Sequence, residues 1–184
     1  MFWQSRMQKI AADLITKEND RQRRGEPVAF ERRGRLTIDG INFTLTAIAD
    51  RIDRAEDGRL HIYDYKTGTP PTPDQQRVFD KQLYLMAVIA EHGGFEEIDP
   101  APVASAAFIG IGGKYKEQIA PFDDEPLGGA WEKFKDLIVS YQSYEQGYSA
   151  RRALFSVKDF SDYDQLSRFG EWGLSDVPTP EDLT

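Results

Sequence analysis

The sequence contains no cysteine and only two histidines, His61 and His92. Without thiols, disulfides, thiolate zinc sites, iron–sulfur clusters and a cysteine nucleophile are all excluded. Two imidazoles cannot build a histidine-rich metal centre, so any metal must be held by oxygen ligands. No apolar run approaches the ~20 residues needed to span a bilayer. The opening stretch, MFWQSRMQKIAADLITKEND, lacks the apolar core and small-residue cleavage site of a secretory signal. The chain therefore reads as cytoplasmic, with no membrane partner. An excess of positive charge is missing too: the formal net charge is −8, which argues against a free-standing nucleic-acid binder.

What is present fits a folded domain. A chain of 184 residues, 40% hydrophobic and 12% aromatic, can bury a real core. The charge is unevenly spread: residues 1–66 carry 13 Lys/Arg against 11 Asp/Glu, and the remainder 10 against 20. The cationic part peaks at RQRRGEPVAFERRGR (21–35), with Arg23, Arg24, Arg32, Arg33 and Arg35 among its arginines. Alone, such a run is a solvated helix end and strand face. Bordering a catalytic site, it would track a nucleic-acid backbone.

Periodicity and turn chemistry give the element order. Residues 2–24 read as a helix with an apolar stripe of Phe2, Met7, Ile10, Leu14 and Ile15, ended by Gly25 and Pro27. Two turn signals, Asp39-Gly40 and Glu56-Asp57-Gly58, separate three β-type runs into an antiparallel meander. TGTPPTPD is a loop, residues 75–92 a helix closed by Gly93-Gly94, PVASAAFIGIGG a buried strand and KYKEQIA a more polar one. Residues 127–147 form a last helix with Trp131, Phe134, Leu137, Ile138 and Tyr141 on its apolar face. The aromatic tail from Tyr148 is expected to dock on the domain until its acidic end frays. This order predicts an α+β domain at 1–150 with a mixed central sheet flanked by helices, and a docked tail at 151–184.

Within the meander, strand alternation puts Leu60, Ile62, Asp64 and Lys66 on one face and Ile48, Asp50 and Ile52 on one face of the preceding strand. A three-residue loop at Glu56-Asp57-Gly58, with Gly58 left-handed, pairs Ala55 with Arg59 and Ile52 with Ile62, and brings Asp50 opposite Asp64. A two-residue turn would set the aspartates on opposite faces. A two-residue Asp39-Gly40 turn would pair Ile38 with Ile41 and place Glu31 opposite Ile48, on the same face as both aspartates. Opposed carboxylates repel unless they share a proton or a cation. All-oxygen ligation suits Mg²⁺ or Mn²⁺, and Lys66 could then orient an attacking water or stabilise charge on phosphorus. The plainer alternative stays open: Asp50, Arg51, Asp53 and Arg54 as a charged strand end with cross-strand ion pairs, and Glu31 bridged to Arg33 or Arg51. Asp53 and His61 fall on the opposite face and read as structural.

Residues 47–68, AIADRIDRAEDGRLHIYDYKTG, resemble the nuclease signature of the PD-(D/E)xK superfamily in its RecB-like branch. The resemblance implies a restriction-endonuclease-like fold, with Asp50 and Asp64 as Mg²⁺ ligands and Lys66 positioning the water that hydrolyses a phosphodiester of DNA. Gln82 fits the glutamine of the branch's Gln-x-x-x-Tyr motif. Met86 stands where that motif has tyrosine, and Tyr84 is nearby at another spacing. The four cysteines that hold an iron–sulfur cluster in many members are absent. The segment FSDYDQLSRFGEW resembles the end of the B subunit of alphaproteobacterial AddAB-type helicase–nucleases, implying a helicase–nuclease partner subunit and double-strand break repair, with exonuclease favoured over endonuclease action. Two rivals remain: a catalytically silent nuclease fold kept as an interaction module, and a superfamily nuclease with another nucleic-acid role.

Overall fold

The computed structural model describes residues 2–144, 146–147, 162, 164–168, 170–172 and 176–177. It divides into two compact units, residues 1–137 and 138–184. The first holds a five-stranded mixed sheet in the order β1-β2-β3-β4-β5. Its elements are α1 (Phe2–Arg24), β1 (Glu26–Thr37), β2 (Thr44–Arg54), β3 (Leu60–Lys66), α2 (Pro73–Val78), α3 (Gln82–Glu91), β4 (Val103–Gly110) and β5 (Lys116–Ile119), with α4 (Leu127–Gln142) beginning in it. The first three strands are antiparallel, β3 and β4 parallel, and β4 and β5 antiparallel. The parallel pair needs a crossover, which the loop after Lys66, α2 and α3 supply. The expected docking of 151–184 lies outside the described residues. In that unit a local turn is closed by Trp172 Nε1 donating to the Ser167 carbonyl at 2.8 Å.

The core sits between the sheet and α3. Leu83, Met86, Ala87, Ile89 and Ala90 pack against Ile52, Leu60, Ile62, Ala106 and Phe108, all buried. Each large aliphatic side chain there contributes about 1.5–3 kcal/mol. Helix α3 is apolar almost all round, so it must be covered on its far side as well. Tyr84 does part of this, donating to the Pro121 carbonyl at 3.0 Å and meeting Phe122 edge-on. The start of α4 adds Trp131 and Phe134, stacked at 5.6 Å, with Phe43 edge-on to Phe134.

Several sequence expectations are corrected. In α1 only Ile10 of the described stripe is buried, Ile15 is exposed, and the side chain sealed under the helix is Arg21. Residues 75–92 are two helices, not one. Thr72 opens α2 with a capping box, and the chain breaks after Val78 before Asp80 Oδ1 accepts from the Gln82 amide to start α3. Helix α4 ends at Gln142 rather than 147.

The largest correction concerns β1. The Asp39-Gly40 turn forms, with the Ile41 amide on the Ile38 carbonyl, but pairing resumes only where the Ile38 amide meets the Phe43 carbonyl. The loop is thus two residues longer than expected, and Ile48 pairs with Arg33 instead of Glu31. Both strands also change phase midway. Ala29, Gly34 and Leu36 face the core in β1, and Leu45, Ala47, Ala49 and Ile52 in β2, so the alternation slips near Glu31 and Asp50. Glu31 carries the slip with φ +47°, a left-handed backbone that glutamate rarely adopts. Ile48 therefore faces outward, half exposed, and does not share the face of Ile52.

Candidate active site

The site lies where β2 and β3 part. The two strands pair from Arg54–Leu60 to Arg51–Tyr63, with Ile52 opposite Ile62 and the Ala55 amide on the Arg59 carbonyl. Gly58 closes this hairpin at φ +84°, the left-handed position that the three-residue loop demands. Asp50 is the first residue beyond the ladder. Its Oδ2 accepts from the Tyr65 amide at 2.7 Å, so this carboxylate rests on the peptide that joins Asp64 to Tyr65.

Asp64 is buried on the α3 side of β3, beside Phe108 of β4. Gln82, at the first turn of α3, spans Asp64 and Lys66 with one amide: Nε2 donates to Asp64 Oδ1 at 2.5 Å and Oε1 accepts from Lys66 Nζ at 2.8 Å. Lys66 Nζ also lies 2.8 Å from Asp64 Oδ2 and over the Phe108 ring at 5.0 Å. That pair is not aligned as a hydrogen bond, and Asp64 Oδ2 accepts none among the described residues. Met86 sits one turn below, its Sδ 3.8 Å from Gln82 Nε2. Tyr84 is buried away from the cluster, its hydroxyl pushed up to about 12 by burial and the nearby Glu125 and Asp124 carboxylates.

Asp64, Lys66 and Gln82 are thus in direct contact, with Asp50 on the adjoining peptide. Glu31 lies across from Asp50, because the pairs Phe30–Arg51 and Arg32–Ala49 flank it. Its side chain is exposed, and neither expected salt bridge, to Arg33 or Arg51, forms. No group of three Asp, Glu, His or Cys side chains converges among the described residues. A cation here would have two carboxylates and otherwise water or substrate oxygens. That fits Mg²⁺, which is commonly held by one or two carboxylates and keeps several waters. The buried Asp64 Oδ2 is met only by the poorly aligned Lys66 ammonium, so it keeps lone-pair capacity that such an ion would use.

The other face of the sheet carries an ionic layer that ties α1 to β2. Arg51, 5% exposed, binds Asp53 with both carboxylate oxygens, at 2.6 and 2.7 Å, and reaches Glu18 of α1 at 2.5 Å. Arg21 is sealed between Glu18, Tyr115 and Glu117. The Tyr63 ring lies between the two guanidinium groups, 5.5 and 5.6 Å away. Burial raises the Glu18 carboxyl, but hydrogen bonds from Arg51 and Arg21 outweigh it and hold the group below 4.5. His61 is bound to Ser105 Oγ at 2.8 Å, and burial lowers its imidazole below 6.5. Asp53 and His61 are structural in this arrangement.

The candidate arginines separate into two sets. Arg23 pairs with Asp20, Arg24 with Glu117, and Arg32 with Glu97 at 2.6 Å. Arg33 and Arg35 are exposed, and their guanidinium groups have no ion pair or hydrogen bond among the described residues, although their backbones bond to Glu96 and Gly94.

A family model described as the PD-(D/E)XK nuclease superfamily matches residues 1–168. The chain belongs to that superfamily. Its five-stranded mixed sheet with flanking helices is the restriction-endonuclease-like α+β fold. Relatives include an uncharacterized protein of Rickettsia typhi, 31% identical over 51% of this chain and 11% of its own length. A second, from Rickettsia felis, is 28% identical over 59% of this chain and 13% of its own. The chain thus spans about one eighth of the length of the curated relatives it matches. Sequence reasoning missed Arg51 as the organiser of β2 and Phe108 as the floor under Lys66. Asp80, two residues after the exposed Val78, was the readable signal that a new helix starts there.

Proposed function

We propose that this PD-(D/E)XK domain is a Mg²⁺-dependent deoxyribonuclease. The observation that carries the reading is the Asp64–Gln82–Lys66 triangle beside Asp50, with one buried Asp64 oxygen left without a hydrogen bond. Asp50 and Asp64 would hold the ion, and the exposed Glu31 across from Asp50 would act on it only through a bound water; Mn²⁺ would serve in its place. When bound, Mg²⁺ supplies Lewis-acid stabilisation of the phosphoryl oxygens. Lysine has three N–H donors. In Lys66 one goes to Gln82 and one faces Asp64, which leaves the third for an attacking water or a phosphoryl oxygen. Gln82 fixes both partners at once, so it is a positioning residue. Water adds to phosphorus and gives up a proton to solvent, one P–O ester bond breaks, and the departing alkoxide takes a proton from solvent.

The finer reading follows the sequence motifs. Within the superfamily we place the chain in the RecB-like branch, without its iron–sulfur cluster, as the nuclease part of a cytoplasmic helicase–nuclease of the AddAB type. Its role would be exonucleolytic DNA processing in double-strand break repair, with a helicase–nuclease partner subunit supplying most of the DNA affinity. No helix among the described residues is long and apolar enough to cross a membrane.

The test is cleavage of end-labelled linear single- and double-stranded DNA with Mg²⁺ or EDTA. Wild type should cut only with Mg²⁺, and Asp64→Ala and Lys66→Ala should lose activity at least 100-fold. Metal-independent cutting, no cutting under any condition, or variants as active as wild type would overturn the proposal.

A further inference from the structure

The outward face of the β1–β2 hairpin, beyond the point where β2 leaves β3, has a composition the catalytic cluster does not use. Phe30 is 60% exposed and Ile48 49% exposed, both on the side away from α3. Arg33 and Arg35 share that side and carry unneutralised charge. This is unusual in a chain with 31 acidic and 23 basic residues, where Arg21, Arg23, Arg24, Arg32, Arg51, Arg59 and Arg77 all have carboxylate partners. A groove crosses the hairpin here, lined by Arg33, Arg35, Thr46, Ile48 and the backbone of Gly34 and Gly94, with Glu96 the one acid on its rim.

Phe30 is held as a platform. It pairs with Arg51 across the ladder, and that guanidinium, fixed by Asp53 and Glu18, lies 5.9 Å from its ring centroid. The next residue along is Glu31, across from Asp50. Arg33 and Arg35, two residues apart on one strand face, stand about 7 Å apart along the strand. That step is comparable to the one between successive phosphates of an extended single strand.

We infer that this face is a binding surface for single-stranded nucleic acid, with Phe30 stacking on one base and Arg33 and Arg35 meeting two successive phosphates further along the strand. Charge complementarity selects a polyanion, and the exposed ring selects one with unpaired bases. Aromatic stacking is open to an unpaired base and closed to one inside a duplex. The surface is distinct from the Asp64–Lys66–Gln82 cluster, which faces α3, and meets it only at the Glu31–Asp50 level. The inference rests on the nuclease reading for its substrate class, but its test is independent of catalysis.

Fluorescence anisotropy with a labelled 20-nucleotide oligothymidylate, in EDTA so that nothing is cut, measures the surface directly. Phe30→Ala should weaken binding 5-fold to 100-fold, and Phe30→Tyr should stay within twofold of wild type. Arg33→Ala/Arg35→Ala should weaken it and flatten the log K–log salt slope by about 1.4. A blunt duplex of equal length should bind less tightly and be indifferent to Phe30→Ala. Absence of oligothymidylate binding, equal binding by Phe30→Ala and wild type, or equal losses on duplex would overturn the inference; a protein occupant of this face would give that result. Loss of this binding by Phe30→Ala in a protein that never cuts DNA would separate the surface from the nuclease reading.

Discussion

Removing Arg51 from its buried pair should unfold the domain far more readily than its distance from the catalytic cluster suggests. Asp53 is 1% exposed, and both its oxygens are occupied by the Arg51 guanidinium. In Arg51→Met the arginine's volume is roughly kept, but Asp53 stays buried with no cation. Breaking such a pair from one side costs about 3–5 kcal/mol, most of it the uncompensated charge. With a urea m-value of about 3 kcal/mol/M for a chain of this size, the midpoint should fall by about 1–1.7 M. Arg51→Met/Asp53→Leu removes both charges and should recover to within about 1 kcal/mol of wild type, since an apolar pair of similar volume replaces a buried ion pair at little or no cost. Glu18 keeps Arg21 as a partner in both variants. The assay is urea unfolding followed by far-UV circular dichroism, with unchanged m-values as the check on comparability. A loss below 1 kcal/mol in Arg51→Met, or a double variant as unstable as the single, would refute the reasoning.

Three further outcomes are expected. Gln82→Ala leaves Lys66 and Asp64 without their shared clamp and should lower cleavage 10- to 100-fold while leaving thermal unfolding near wild type, with Gln82→Glu failing to restore it. Glu18 and Glu125 are both held below 4.5: burial raises each, and Arg51 with Arg21, or Lys133 with Lys81, outweighs it. Because the unfolded chain takes up these protons first, the stability they contribute is full above about pH 4.5 and drains as the pH falls through their lowered folded values. Urea midpoints at pH 7, 4.5 and 3 should decline in that order, less steeply in Glu18→Gln/Glu125→Gln. Glu31→Gly removes a side chain from a left-handed backbone position and should stabilise the fold by about 1 kcal/mol, a rise of about 2–4 °C, while reducing cleavage at limiting Mg²⁺.

Legibility in the sequence followed the length and sharpness of each local signal. The β2–β3 register could be read because Gly58 and the Ile52–Ile62 match agree on one loop length. That was enough to bring Asp50 to the level of Asp64, although the strands part there and Asp50 ends on a peptide amide rather than in a ladder pair. The β1–β2 register misled because Asp39-Gly40 forms its turn while Ile41 and Asn42 are left outside the ladder, and Phe43 is drawn to Phe134, a contact no local pattern encodes. The phase slip at Glu31 breaks the alternation on which face assignment depends, so Ile48 appeared to belong to the core. Arg21 and Arg51 looked like surface charge because their burial depends on partners far along the chain, Glu18 at 33 residues from Arg51 and Glu117 at 96 from Arg21. The α2–α3 break was missed by reading 75–92 as one helix, although Asp80 signals it, and it is what aims Gln82 at Lys66 and Asp64.

Titration with Mn²⁺, read by electron paramagnetic resonance of the free ion, tests most directly whether Asp50 and Asp64 form one cation site, and it needs neither DNA nor a partner subunit. The account predicts a bound ion in wild type that is displaced by Mg²⁺ and lost in both Asp50→Asn and Asp64→Asn. Binding that survives both substitutions unchanged, or a wild type that takes up no ion at all, would contradict it.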